Sequence, residues 1–291
     1  MGDRVANFQI SQHEACFDPQ GPVAALRRER CEFSDFFDDS REHLRKVGPN
    51  KARELSSFGF MSNAETAKEA AALRALELVE NDMKLGLGTG STAKWFVHHL
   101  GARVRDGLRV VCTATSLETH AQAEKLGIPL RTLDELGNLD LAVDGTDEIT
   151  PGLDCIKGHG AALFREKLVE ICASRFVVIA DDSKLSSHLG IKKTVPVEIN
   201  PFGRLTTRAR LEALGAKVAP RLTKDGTILV TDNGNHIWDC DFGPIDDAAA
   251  LGNRIKSVVG VCEHGLFCGM VRRAFLAKPD GSVQELLRQG A

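Results

Sequence analysis

The run MKLGLGTGSTAKWFVHHLGARV, Met83–Val104, passes from a short apolar stretch through a glycine turn into a helix-forming segment. MKLGLG has the length and character of a buried strand, and AKWFVHHLGARV those of a helix. Within it, GLGTGSTA (Gly86–Ala93) lets the backbone turn tightly. Amides freed at a helix start can cradle a phosphate, and Ser91 and Thr92 add hydroxyl donors. No Gly-Lys-Ser/Thr follows, so this is not a Walker loop, and the third glycine of a dinucleotide fingerprint is missing. A plain glycine turn with Ser/Thr capping a helix accounts for the same residues equally well.

Working outward, the same alternation continues. LRVVCTAT reads as a strand, LETHAQAEKLG as a helix, LDLAVDGTD as a strand with a polar end, and RFVVIADD as another strand. Strands alternating with helices predict a parallel α/β sheet whose ligands gather at the strands' carboxyl ends. Upstream, Ser62-x-x-Glu65 has the form of a capping box. The helix it opens is expected to bury Ala72, Leu73, Leu76 and Val79. From Val195 the pattern changes. VPVEI, AKVAPRL, TILVTD and HIWDCDF read as strands, with RARLEALG and DDAAALGNRIKSV as helices. Lys224-Asp225-Gly226 is the turn expected between the second and third strands. The fold expectation is α/β: a parallel-sheet Rossmann-like domain with a second, smaller ferredoxin-like α+β domain. Residues 1–60 read as a weakly ordered extension and Met61 as a candidate natural start. Residues 61–190 plus about 264–291 form the larger domain, and 191–263 the smaller.

Composition narrows the function. The 291 residues carry 43% hydrophobic and 26% charged side chains, a globular balance, and a net charge of −3, which argues against a general nucleic-acid binder. Eight cysteines lie scattered without a CxxC pair, so no zinc ribbon is expected. With no secretory leader visible, reduced thiols in a cytoplasmic setting are the expectation. No apolar run approaches membrane-span length. The histidines show no HExxH or other metal-ligand spacing.

Two further runs carry chemistry. DGTDEI (Asp144–Ile149) puts three carboxylates into five residues after the strand LAV. Crowded carboxylates raise one another's pKa and suit sugar hydroxyls or acid–base work. A solvated turn with helix-capping aspartates is the plainer account. KGHGAALFREK (Lys157–Lys167) joins a lysine, a loop with Gly158 and Gly160, and a helix bearing Glu166. A fixed cation there stabilises a developing oxyanion. An ordinary loop followed by a Glu/Lys helix surface also fits, with His159 as a tolerated loop residue.

GLGTGSTA, DGTDEI, KGHGAALFREK and ADDSK (Ala180–Lys184), in this order and spacing, resemble ribose-5-phosphate isomerase of the A type. VTDNGNHIWDCDFG and GVCEHGLF also resemble that family, and the likeness runs from about Met61 to the C-terminus. The resemblance implies interconversion of ribose 5-phosphate and ribulose 5-phosphate through an enediolate. It implies no metal or organic cofactor, a sugar phosphate as partner, and a homodimer or homotetramer. It assigns Glu166 as general base, Lys157 as oxyanion stabiliser, and Asp144 as an aid to ring opening or proton movement. Substrate contacts fall to Thr89, Gly90, Ser91, Thr92, Asp144, Gly145, Thr146, Asp147, Lys157, Gly158, His159, Gly160 and Lys184. Lys68 is a further phosphate-contact candidate. The chain departs from the family's KGGG at His159, where a positive φ would strain a histidine. A non-catalytic sugar-phosphate sensor, an aminosugar-phosphate deaminase and a coenzyme A transferase are the competing classes.

Overall fold

In the computed structural model, residues 63–288 are described; the extension 1–60, Met61 and the Ser62 cap lie outside them. The central sheet has six strands: β1 (Met83–Leu87), β2 (Val110–Ala114), β3 (Leu141–Asp144), β6 (Phe176–Asp181), β12 (Arg273–Ala277) and β13 (Val283–Leu287). Their order is β13-β12-β6-β3-β1-β2, and all neighbours run parallel except β13, which is antiparallel to β12. The inner strands β3 and β6 are apolar up to their terminal aspartates, as a sheet covered on both faces requires. Helix α1 (Asn63–Leu76) precedes β1, and α2 (Ala93–Arg105), α3 (Leu117–Lys125), α4 (Leu133–Leu136) and α5 (Leu163–Ile171) intervene between the strands.

The α1 stripe differs from expectation. Ala67, Ala71, Ala72, Ala75 and Leu76 are buried, whereas Leu73 is 43% exposed. Small side chains let α1 lie close to α2 and β6, so the contact face follows the alanines rather than the largest apolar residues.

A three-stranded antiparallel sheet, β11-β5-β4, joins Leu266–Phe267, Cys155–Ile156 and Glu148–Ile149 beside the strand ends. The second large layer is a four-stranded antiparallel sheet. Its strands are β7 (Val195–Ile199), β8 (Lys217–Pro220), β9 (His236–Asp241) and β10 (Val261–His264), in the order β10-β7-β9-β8. With α6 (Arg204–Glu212) and α7 (Ala248–Lys256) as crossovers, this is the ferredoxin-like arrangement expected from the sequence. TILVTD differs: it forms only isolated bridges, Leu222 with Ile228 and Val230 with His236, and Val230 is 60% exposed. The turn at Gly226 does form, with φ +82° and the Thr223 N–H donating to the Thr227 carbonyl at 2.8 Å.

Candidate active site

Four loops meet at the carboxyl ends of β1, β3 and β6 and line a cleft of about 90 Å³. Its walls are Thr89–Thr92, Gly145–Asp147, Lys157, Gly158, Gly160, Glu166 and Lys184. The first loop is shaped by Gly88 and Gly90. A Cβ at Gly88 would fall 2.1 Å from the Asp144 carboxyl, so only glycine lets β1 and β3 end side by side. Gly90 takes φ +115° and turns the chain into α2, whose N-terminus carries no side-chain cap. The Thr89 hydroxyl faces away from the cleft, bonded to Thr115 (2.7 Å) and Ser116 (2.8 Å).

Lys157 is the centre of charge. It is 2% exposed, and its Nζ lies 2.7 Å from Asp144 Oδ2, 3.2 Å from Glu170 Oε1 and 3.4 Å from Glu166 Oε2. It also donates to the Gly145 carbonyl at 2.8 Å. Burial opposes the charge on this ammonium, but Asp144, Glu166 and Glu170 outweigh it and raise its pKa well above the lysine range. The rings of Phe176 and Phe267 flank it. Asp144 accepts the main-chain N–H groups of Thr89 (2.9 Å) and Gly145 (2.6 Å) as well as the Lys157 bond. It therefore stands behind the cleft as a brace, whereas Asp147 lines it.

Glu166 sits in the first turn of α5 and lines the cleft while being 2% exposed overall. Burial pushes its carboxyl up to about 8, with Asp144 and Asp147 adding to the shift and Lys157 opposing it. Its Oε2 meets no hydrogen-bond donor at bonding geometry. A carboxylate so placed is basic enough to take a proton from carbon near neutral pH.

His159 does not strain its loop. The positive φ angles fall at Gly158 (+101°) and Ala161 (+61°) instead. Its main-chain N–H donates to Asp147 at 3.0 Å, and its ring Nε2 lies 3.2 Å from the Thr194 carbonyl, away from the cleft. Arg221 donates to the carbonyls of Gly158 (2.7 Å) and His159 (3.0 Å) and steadies the turn. Lys68 is paired with Glu65 at 2.6 Å on α1 and is not among the cleft residues.

The family model for Ribose 5-phosphate isomerase A (phosphoriboisomerase A) matches residues 111–281. A Ribose-5-phosphate isomerase A of Synechococcus sp. is 49% identical over 231 residues, covering 79% of this chain and 100% of the relative. This chain belongs to the ribose 5-phosphate isomerase A family. A relative from Nitrobacter hamburgensis is 49% identical over 75% of this chain and 96% of its own length. The solved ribose 5-phosphate isomerase of Plasmodium falciparum is 40% identical with a TM-score of 0.75, covering 77% of this chain and 99% of that one. A solved D-ribose-5-phosphate isomerase in complex with phospho-erythronic acid is 36% identical, with a TM-score of 0.75 and the same coverage.

Within this isomerase fold, three side chains went unread in the sequence. Glu170 stands one helical turn after Glu166 on the same face of α5. Glu198 on β7 is fully buried, and its Oε1 accepts from Thr231 (3.0 Å), Asn233 (3.0 Å) and Asn235 (2.9 Å). Arg165 then clasps that loop, donating to Asn233 Oδ1 at 2.8 Å and the Asp232 carbonyl at 2.9 Å. The VTDNGN run is thus a strap from β7 to α5. Its polar cluster was the available signal.

Proposed function

We propose that Glu166 is the proton-transferring base of this aldose–ketose isomerase. The enzyme interconverts D-ribose 5-phosphate and D-ribulose 5-phosphate, a step of the pentose phosphate route. The open-chain sugar carries an acidic proton on the carbon beside its carbonyl. Glu166 takes that proton, leaving an enediolate, and returns it to the neighbouring carbon, while the adjacent hydroxyl's proton passes to the former carbonyl oxygen. No net redox partner is needed, because the two carbons exchange oxidation levels within one molecule. Lys157, held by Asp144 and the Gly145 carbonyl, faces the oxygen on which negative charge develops. Asp147 and the Thr146 backbone bound the sugar hydroxyls. Ser91 and Thr92 at the α2 N-terminus, with Lys184, receive the phosphate, whose binding positions the reacting carbons.

The observation that carries the assignment is the buried Glu166 carboxyl opening onto the same cleft as the phosphate loop, 3.4 Å from a lysine. Phospho-erythronic acid, the ligand of the solved relative, joins a phosphate to a carboxylate and suits such a cleft. The family relationship also supports a homodimer or homotetramer in the cytoplasm. Among the described residues no helix is long and apolar enough to cross a membrane. The test is direct. Purified protein converts ribose 5-phosphate to ribulose 5-phosphate at an undiminished rate in excess EDTA. No turnover, or turnover abolished by the chelator, overturns the reading.

A further inference from the structure

Around Lys157 the mechanism above uses the carboxyls of Glu166 and Asp144, yet a third carboxyl shares the same buried space. Glu170 is 2% exposed, and both its oxygens lack a hydrogen-bond donor at bonding geometry. Its nearest cation is Lys157, 3.2 Å from Oε1. An ammonium has three hydrogens. On Lys157 two go to Asp144 Oδ2 and the Gly145 carbonyl, and the third lies between Glu170 at 3.2 Å and Glu166 at 3.4 Å.

Three ionised carboxyls around one lysine would leave two uncompensated negative charges away from water. Buried groups avoid this by taking up protons. The three acids are not equivalent. Asp144 accepts three donors. Glu166 borders the cleft and exchanges its proton with substrate. Glu170 has neither a donor set nor a place on the cleft wall. The ionisable groups facing it are Lys157 from the loop after β5, Asp144 from β3, Glu166 from its own helix and Cys155 from β5. Burial pushes the Glu170 carboxyl well above the usual range; Lys157 opposes this, while Asp144 and Glu166 add to it. The Cys155 thiol is pushed up to about 12 by burial and brings no charge.

We propose that Glu170 is a positioning residue that keeps its proton throughout turnover and, as a neutral acid beside Asp144, leaves the third hydrogen of Lys157 to the substrate oxyanion. An ionised Glu170 would draw that hydrogen to itself, since it stands closer than Glu166. A neutral one holds the ammonium in place yet yields it. The inference rests on the isomerase assignment, and the two fail separately.

The experiment compares the full-length wild type with Glu170→Gln and Glu170→Leu. Glutamine approximates a protonated carboxyl: a carbonyl acceptor, an N–H donor in place of the O–H, and no charge. Glu170→Gln is expected to keep kcat/KM for ribose 5-phosphate within about threefold of wild type, with a superimposable pH profile. Glu170→Leu is expected to lose kcat by at least about tenfold, with KM nearly unchanged. Infrared difference spectra supply an activity-independent readout. At about pH 9.5, above the Glu166 titration, wild type shows a protonated-carboxyl band that vanishes in Glu170→Gln and persists in Glu166→Gln. A Glu170→Gln enzyme as impaired as Glu170→Leu, a shifted pH profile in Glu170→Gln, a fully active Glu170→Leu, or the absence of the band overturns the proposal. An inactive wild type that still shows the band overturns the isomerase assignment alone.

Discussion

At the scale of the residue, helix α5 inverts the usual rule. Glu166 and Glu170 are buried, while Leu168 and Ile171 are 45% and 69% exposed. The polar pair is buried because a lysine waits opposite it. Glu166 was legible because it follows a lysine–glycine loop in a motif of known order. Glu170 was not, because REKLVE looks like a charged helix surface until the fold shows which face meets Lys157. His159 teaches the converse: the sequence marked a strained position, but the loop puts its positive φ at Gly158 and Ala161. Glu166→Gln keeps the shape and removes the base. Its kcat is expected to fall about 10²–10⁴-fold, while phospho-erythronic acid still binds. In wild type kcat/KM should fall tenfold per pH unit below about 8, where burial sets the Glu166 carboxyl. Steady-state kinetics across pH 6–9 and calorimetric titration with that ligand check both. A variant that loses rate and binding alike makes Glu166 structural.

At the scale of the element, the site exists because β1 and β3 end side by side and their loops interlock. Gly88 N–H donates to the Val143 carbonyl at 3.0 Å, and Thr89 N–H to Asp144. Strand and helix types here were readable, since β1, β2, β3 and β6 are short apolar runs and the loops after them are polar. The TILVTD segment was not readable. Its alternation resembles a strand, but Glu198 captures Thr231, Asn233 and Asn235 and bends the chain into a strap. A buried carboxylate on a neighbouring strand leaves no trace in the local pattern. Gly88→Ala tests the interlock. Its Cβ would overlap the Asp144 carboxyl, displacing the brace of Lys157. The expected cost is about 1–3 kcal/mol of stability together with a fall in kcat. Thermal denaturation and kinetics on one preparation measure the two. An unaltered kcat would mean that Asp144 does not hold Lys157 in its working position.

At the scale of the whole molecule, function and stability oppose each other through the same carboxyl. Folding moves Glu166 from an ordinary value of 4.5 up to about 8. Between those values the folded chain holds a proton that the unfolded chain has released. Its contribution to stability is therefore fully present below about 4.5 and is lost as pH rises through about 8. Other groups act elsewhere on the scale. Glu263, lowered to about 2 by Lys167 and Lys256 against the effect of burial, loses its contribution as pH falls from the ordinary glutamate value of 4.5 toward 2. Burial lowers His264 to about 3, so the unfolded chain gains protons first as pH falls below 6.5. Both are common to wild type and Glu166→Gln, so the difference in Tm between the two proteins isolates Glu166. Glu166→Gln, with no proton to lose, should gain on wild type steadily from pH 5 to pH 8. The gain should level off above the carboxyl's own titration. Paired calorimetric scans across that range make the comparison. A Tm difference independent of pH would mean that the base is not held protonated by the fold. The rate and the stability profiles must then share no midpoint, whereas the buried-base account requires both to turn near the same pH.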